Sequence, residues 1–260
     1  MIFFTIASGS SGNAYFLGLG GRNYLIDAGI SCKRIVKELA KHNINEINGV
    51  FITHEHTDHV SGAGVIARRF KADLYATPLT WRYFLRHKTL GPIEESQAIH
   101  IEPGVPIHLA EGEVKAFDIP HDAVQPVGYS FFIDGKKICL ATDLGSVSDT
   151  VRAELADADL VVIESNHDPE MLARCRYHKS LKERVASKRG HLSNAQAGML
   201  LSEVAVPGKT HAFLAHLSEE SNTPMLAFDT VLRVLEGNEK KVASLTVAER
   251  HVAGEVVRLG

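Results

Sequence analysis

The sequence predicts an α/β fold in which two β-sheets pack face to face with helices on their outer sides. Three observations carry that prediction. Short β-type runs separated by Gly, Ser and Asn turns fill the beginning of the chain, strand and helix signals alternate after about residue 136, and the two patterns occupy halves of similar size. Of the 260 residues, 45% are hydrophobic and 23% charged, enough to build a core in a single domain over 1–260. No low-complexity tract, linker or short repeat divides it.

Ile2–Ala7, Ala14–Leu17 and Asn23–Asp27 read as strands. The small-residue loop Ser8–Asn13 is either a plain hairpin connection or a backbone surface close to a ligand. Ser31 is placed to cap a helix over Cys32–His42, whose Ile35, Val36 and Leu39 share one face. Gly49–Thr53 reads as a buried strand running directly into His54. A helix near Val60–Phe70, a strand at Asp73–Ala76 and a helix after Pro78 follow. Residues 97–142 read as successive strands, with Lys136–Thr142 the clearest. Beyond them come a helix over Val147–Ala156, a strand at Leu160–Glu164, and helices within 168–188 and over 194–204. A strand at His211–Ala215, a helix over 224–236 and strands near 242–247 and 254–259 complete the reading.

Composition excludes several classes. No apolar run approaches the roughly 20 residues of a membrane span, and the first residues lack the basic segment of a secretory signal. Cys32, Cys139 and Cys175 form no CxxC and no even set, which points to a reducing, cytoplasmic setting. A net charge of −3 provides no global field for polyanions, so contact with nucleic acid requires a local patch. The anomaly is histidine, present 14 times.

Histidine concentrates in His54-Glu55-His56-Thr57-Asp58-His59, immediately after a buried strand. These nitrogen and oxygen donors suit borderline divalent metals. His54 and His56, two residues apart, face the same way in an extended turn and can chelate one ion. Asp58 and His59 follow the bend and can serve a second, in the manner of hydrolase sites whose ions lie about 3.5–4 Å apart. A single loop cannot fill two sites, and three further residues stand where apolar strands end: His121, Asp143 and His216. The predicted set is His54, His56 and His121 on one ion, Asp58, His59 and His216 on the other, and Asp143 between them. Zn²⁺ suits these donors, and Mn²⁺ or Fe²⁺ are tolerated.

HxHxDH followed by a strand-end His, Asp and His in that order resembles the metallo-β-lactamase fold superfamily, from Leu25–Gly29 to Leu214–Ser218. The resemblance implies a four-layer αββα sandwich. Asp143 occupies the slot where zinc-cysteine lactamases carry a cysteine, so the set is similar to the phosphodiesterase and thioesterase branches, such as ribonuclease Z and glyoxalase II. Ser8–Ala14, His121–Tyr129, Ile163–Asp168, Gly190–Asn194 and the segment after His216 resemble YycJ/WalJ-type metal hydrolases, regarded as DNA exonucleases. For a phosphodiester the resemblance implies in-line attack at phosphorus by a metal-bridging hydroxide, with Asp58 as proton acceptor as well as ligand.

The leaving oxygen needs a proton, for which His191 and Glu164 are the candidates. Glu164 ends the apolar strand LVVIE, where a lone carboxylate would be costly, and pairing would keep His191 charged. The alternative is a structural ion pair. Asp27 either orients a metal-binding histidine through its ring N–H or serves as a turn residue. Asn194 is a candidate substrate contact or a helix-start residue, and His167 and Asp168 either line the site or cap a helix.

A polyanion footprint is predicted between Arg174 and Arg189, where Arg176, Lys179 and Lys182 are the candidate phosphate contacts and Glu183 is the sole acid. The alternative is a solvated helix face. Trp81–Lys88 interleaves aromatic and basic residues; base stacking on Trp81 or Tyr83 competes with burial of Trp81, Phe84 and Leu85 on an amphipathic helix. The functional expectation is a two-metal phosphodiesterase acting on nucleic acid, DNA in particular, from an end. The competing readings are a small-molecule hydrolase of a thioester, lactone or cyclic phosphate, and a non-catalytic metal-binding protein.

Overall fold

A computed structural model describes residues 1–260. The chain opens with three antiparallel strands, β1 (Ile2–Ala7), β2 (Ala14–Leu19) and β3 (Arg22–Ile26). Helix α1 (Cys32–Ala40) follows, with Ser31 Oγ accepting the Arg34 N–H as its cap. Then come β4 (Gly49–Phe51), α2 (Thr57–Val60), α3 (Ala63–Phe70), β5 (Asp73–Ala76), α4 (Pro78–His87) and β6 (Ala98–His100). β3 to β6 are mutually parallel neighbours, and β14 (Val257–Arg258) pairs beside β1, giving the order β14-β1-β2-β3-β4-β5-β6.

The second sheet repeats that plan. β7 (Pro106–Leu109), β8 (Gly112–Asp118), β9 (Val127–Ile133) and β10 (Lys136–Ala141) form an antiparallel meander. Parallel neighbours β11 (Leu160–Glu164), β12 (His211–Ala215) and β13 (Ser244–Val247) extend it to the order β13-β12-β11-β10-β9-β8-β7. Helices α5 (Asp149–Leu155), α6 (Pro169–Arg174), α7 (Lys179–Val185), α8 (Asn194–Val204) and α9 (Pro224–Gly237) lie between the later strands.

Three apolar layers hold the stack together. α1, α3 and α4 cover the first sheet with Ile35, Leu39, Ile66, Trp81 and Phe84; Phe51, Tyr75, Tyr129 and Phe131 fill the space between the sheets; α5, α8 and α9 cover the second sheet with Val151, Leu155, Leu201 and Val231. Phe51 lies at the centre, stacked on Tyr75 at 4.3 Å and edge-on to Phe131 at 5.2 Å. Four layers, αββα, result. No helix is long and apolar enough to cross a membrane.

Some local expectations need correction. The helix expected near Val60–Phe70 breaks at Ser61–Gly62, because the Gly62 N–H is taken by the Ala28 carbonyl at 2.8 Å. Leu85 is 75% exposed rather than buried with Trp81 and Phe84, since it stands at the open rim of the groove that those two residues line from below. Trp81 is buried with its Nε1 donating to the Ile99 carbonyl at 3.1 Å, so it presents no face for a base.

Candidate metal centre

Both sheets deliver side chains to one edge, at the C-terminal ends of strands. Parallel strands leave their last carbonyls and the following turn free for a ligand there. β3 leads to Asp27, β4 to His54, β8 to His121, β10 to Asp143, β11 ends in Glu164, and β12 leads to His216. Asp27, Asp143 and His216 each turn the chain in the left-handed region, with φ of 57°, 61° and 56°. Non-glycine residues adopt that conformation at a cost of order 1–3 kcal/mol, met only where the surroundings over-determine it.

His54, His56 and His121 bring three ring nitrogens together, with His54 Nε2 at 3.0 Å and His121 Nε2 at 3.4 Å from His56 Nδ1. Asp58, His59 and His216 form a second group, in which Asp58 Oδ2 lies 3.6 Å from His59 Nε2 and 3.4 Å from His216 Nε2. Asp143 stands between them, with Oδ2 at 3.3 Å from His59 Nε2 and Oδ1 at 3.7 Å from His121 Nε2. Its Oδ2 is buried and has no hydrogen-bond partner.

The remaining ring nitrogens are anchored. His59 Nδ1 lies 2.7 Å from Asp27 Oδ2, with neither side chain exposed. Thr53 Oγ1 donates to the same carboxylate at 2.8 Å and lies 3.0 Å from His54 Nδ1. The Gly190 carbonyl stands 3.2 Å from His121 Nδ1, and Glu164 Oε1 stands 2.8 Å from His216 Nδ1. Anchored in this way, these four rings aim Nε2 inward, as outer partners of metal-binding histidines do. The inward lone pairs, the carboxylates of Asp58 and Asp143, and the orphaned Asp143 oxygen are a donor set that divalent cations fit.

Charge in the centre is finely divided. Burial works against a proton on His59, but Asp143, Asp27 and Asp58 outweigh it and hold the pKa at about 9. His216 is also raised well above its ordinary value, because Asp143, Asp58 and Glu164 overcome its burial. Burial and the adjacent imidazoles push His54 well below the ordinary histidine value. Burial raises and His59 and His216 lower Asp58, leaving its carboxyl well below the usual range.

Glu164 and His191 stand beside these groups. Glu164 Oε1 lies 2.8 Å from His191 Nδ1, while Oε2 accepts the backbone N–H groups of Leu144 at 2.8 Å and Leu192 at 2.9 Å. His191 is raised because Glu164 offsets the burial that opposes its charge. Ser193 caps α8 in a reciprocal box with Gln196, which fixes the turn carrying His191.

Other candidates are placed differently. Asn194 is 1% exposed and bonds reciprocally with Asn222, besides accepting from Ser165 Oγ at 2.6 Å, so it turns inward and is not a substrate contact. Asp168 caps α6 through the Met171 N–H. His167 is buried with Nδ1 unpartnered. The basic segment is not one free positive face: Lys182 Nζ donates to the Ala173 carbonyl at 2.7 Å, Lys179 pairs with Glu183 at 3.7 Å, Arg174 with Glu170 at 3.5 Å and Arg184 with Asp122. Arg176 is exposed with no ion pair. The contributions of Thr53 and Gly190 escape sequence reading. For Thr53 the available signal is a hydroxyl directly before the first ligand, and for Gly190 a glycine directly before His191.

The fold and this centre define a metal-dependent hydrolase. The chain belongs to the beta-lactamase superfamily, whose domain model matches residues 22–217. It is 38% identical over 236 residues to the Exodeoxyribonuclease YycJ of Bacillus anthracis, covering 90% of this chain and 89% of that one. The Exodeoxyribonuclease WalJ of Streptococcus pneumoniae strain D39 is likewise 38% identical, over 232 residues, 88% of this chain and 86% of the relative. Among solved structures, Zn²⁺-bound PqqB from Methylobacterium extorquens superposes with a TM-score of 0.75 at 15% identity, covering 100% of both chains. The short form of human tRNase Z gives 0.65 at 19% identity, covering 99% of this chain and 100% of that one. At such identities the structural matches speak for the fold.

Proposed function

We propose that this chain is a two-metal phosphodiesterase that degrades DNA from an end. The observation that carries the reading is Asp143, whose two oxygens face the two histidine groups at 3.3 and 3.7 Å. His54, His56 and His121 would hold one divalent ion, Asp58, His59 and His216 the other, and Asp143 both. Zn²⁺ or Mn²⁺ match the donors, with Fe²⁺ also accommodated. Such ions, when bound, lower the pKa of a coordinated water toward neutrality and withdraw charge from phosphate oxygens.

The protein's own groups divide the remaining work. Asp58, held ionised, is the proton acceptor on the water side. Glu164 accepts from His191 Nδ1 and favours its charged form, leaving Nε2–H to protonate the departing oxygen. The choice of DNA rests on the exodeoxyribonuclease relatives, which align with about nine-tenths of the chain. Arg176 and the exposed Lys179 are the cations we assign to the phosphate backbone. Three free thiols fit a cytoplasmic setting.

A second reading, hydrolysis of a small thioester, lactone or cyclic phosphate, is favoured by the internal pairing of Lys182 and Arg184, which thins the polyanion footprint. Single- and double-stranded DNA and RNA, each labelled at the 5′ or 3′ end, should be incubated with Mn²⁺- or Zn²⁺-loaded enzyme beside a chromogenic phosphodiester and a thioester. Stepwise shortening of DNA from one end is the expected result. Rapid thioester turnover with intact polymers would overturn it.

A further inference from the structure

The cation nearest the candidate centre along the basic segment is exposed, yet it turns its guanidinium onto the protein's own backbone. Arg189 directs Nε and Nη2 to a single acceptor, the backbone carbonyl of His121, at 3.0 and 2.7 Å. A guanidinium presents these donors as a rigid fork, so the carbonyl is fixed in direction as well as distance. The next residue, Gly190, places its own carbonyl 3.2 Å from His121 Nδ1. Arg184 pairs with Asp122, the residue after His121. On the other side, the Gly145 N–H binds the Pro120 carbonyl at 2.8 Å, and Gly145 lies so close to Arg189 that a Cβ there would stand 2.4 Å from the arginine Cα. Three turns, 120–122, 143–145 and 189–191, therefore interlock at Arg189, whose guanidinium meets the His121 carbonyl and whose main chain lies against Gly145, and they carry His121, Asp143 and His191.

We propose that Arg189 is a positioning residue: it fixes the His121 main chain, and with Gly190 it sets the ring that faces the metal, instead of binding the phosphate of a substrate. The inference rests on the reading of His121 as a metal ligand. An outer partner of a ligating histidine alters metal affinity by about 10–100-fold when removed, whereas a phosphate contact alters the salt dependence of nucleic-acid binding. The two roles therefore have different signatures.

Arg189→Lys separates them, because it keeps the charge and the aliphatic stem but loses the fork. The full-length protein, stripped with a chelator, should be titrated with Zn²⁺ by calorimetry and its bound metal counted, for wild type, R189K, R189A and H121A. Binding to a labelled DNA duplex should be followed in parallel against salt, with circular dichroism as the check on folding. R189K and R189A are expected to weaken one of two Zn²⁺ ions about tenfold or more and to leave the salt slope unchanged. Wild-type Zn²⁺ binding by R189K, or a shallower slope in R189A with metal binding intact, would overturn the proposal. H121A distinguishes the failures: if it retains both ions at wild-type affinity, the ligand reading falls as well; if it loses one while R189K loses none, only the role of Arg189 falls.

Discussion

Glu164 Oε1 lies 2.8 Å from Nδ1 of His191 and at the same distance from Nδ1 of His216. One oxygen thus fixes both a candidate acid and a candidate ligand, while its twin holds two backbone N–H groups. A glutamine cannot satisfy all four partners, since its NH₂ would face N–H groups on one side or imidazole N–H on the other. Glu164→Gln is expected to lower DNA turnover by about 10²–10⁴-fold and Zn²⁺ affinity by about 10–100-fold, read by end-labelled hydrolysis and calorimetry. Turnover at the wild-type level would remove the pair from catalysis.

If His191 protonates the leaving oxygen, its importance depends on that oxygen. His191→Ala should cost about 10²–10⁴-fold on DNA, where an alkoxide departs. On a nitrophenyl phosphodiester, whose phenolate needs no proton, the loss should be markedly smaller. Equal losses on both substrates would point to a structural ion pair instead.

The centre also predicts a pH dependence for the metal-free protein. An imidazole whose pKa rises on folding contributes stability in full below its unfolded value of about 6.5 and loses it as pH climbs through the folded value. His59, held at about 9 chiefly by Asp143, Asp27 and Asp58 against its burial, has that sign. His216, also raised by Asp143, Asp58 and Glu164 against its burial, has the same sign, so urea unfolding of chelator-treated protein should show stability falling as pH rises from about 6.5 through 9, with His59 contributing roughly 3 kcal/mol of the loss. Metal-loaded protein should lack this decline, because an ion on Nε2 replaces the proton.

Asn194 should behave as a buried structural amide. Asn194→Ala leaves Asn222 and Ser165 short of partners and is expected to lower unfolding free energy by about 1–3 kcal/mol. DNA affinity, measured well below the unfolding temperature, should not change. A large loss of affinity with stability intact would return this residue to the substrate surface.

Much of the centre was legible because its side chains sit at the ends of apolar strands, where a polar residue interrupts a pattern that otherwise has none. His54 after GVFIT, Asp143 after ICLAT and His216 after AFLA stand out for that reason. Their supports were less visible. Thr53 reads as an ordinary β-former until its hydroxyl is seen between Asp27 and His54. The basic segment misleads because part of what neutralises it is remote in sequence or uncharged: Asp122 lies 62 residues before Arg184, and Lys182 and Arg189 are satisfied by carbonyls, which no charge pattern reveals. Asn194 stands at a helix start, a position that fixes its backbone but not the direction of its amide.

The left-handed turns at Asp27, Asp143 and His216 set function against stability at single positions. Glycine would relax each backbone, and asparagine is tolerated there better than most residues. Selection of variants for thermal resistance alone should therefore weigh that relief against the buried pairs these side chains make: Asp27 and Asp143, which hold His59 charged, should persist while it is protonated and yield to glycine or asparagine only above about pH 9, where that pairing is lost. Retention of the aspartates and histidine under such selection would mean that their side-chain bonds outweigh the backbone penalty even in a protein under no demand to catalyse.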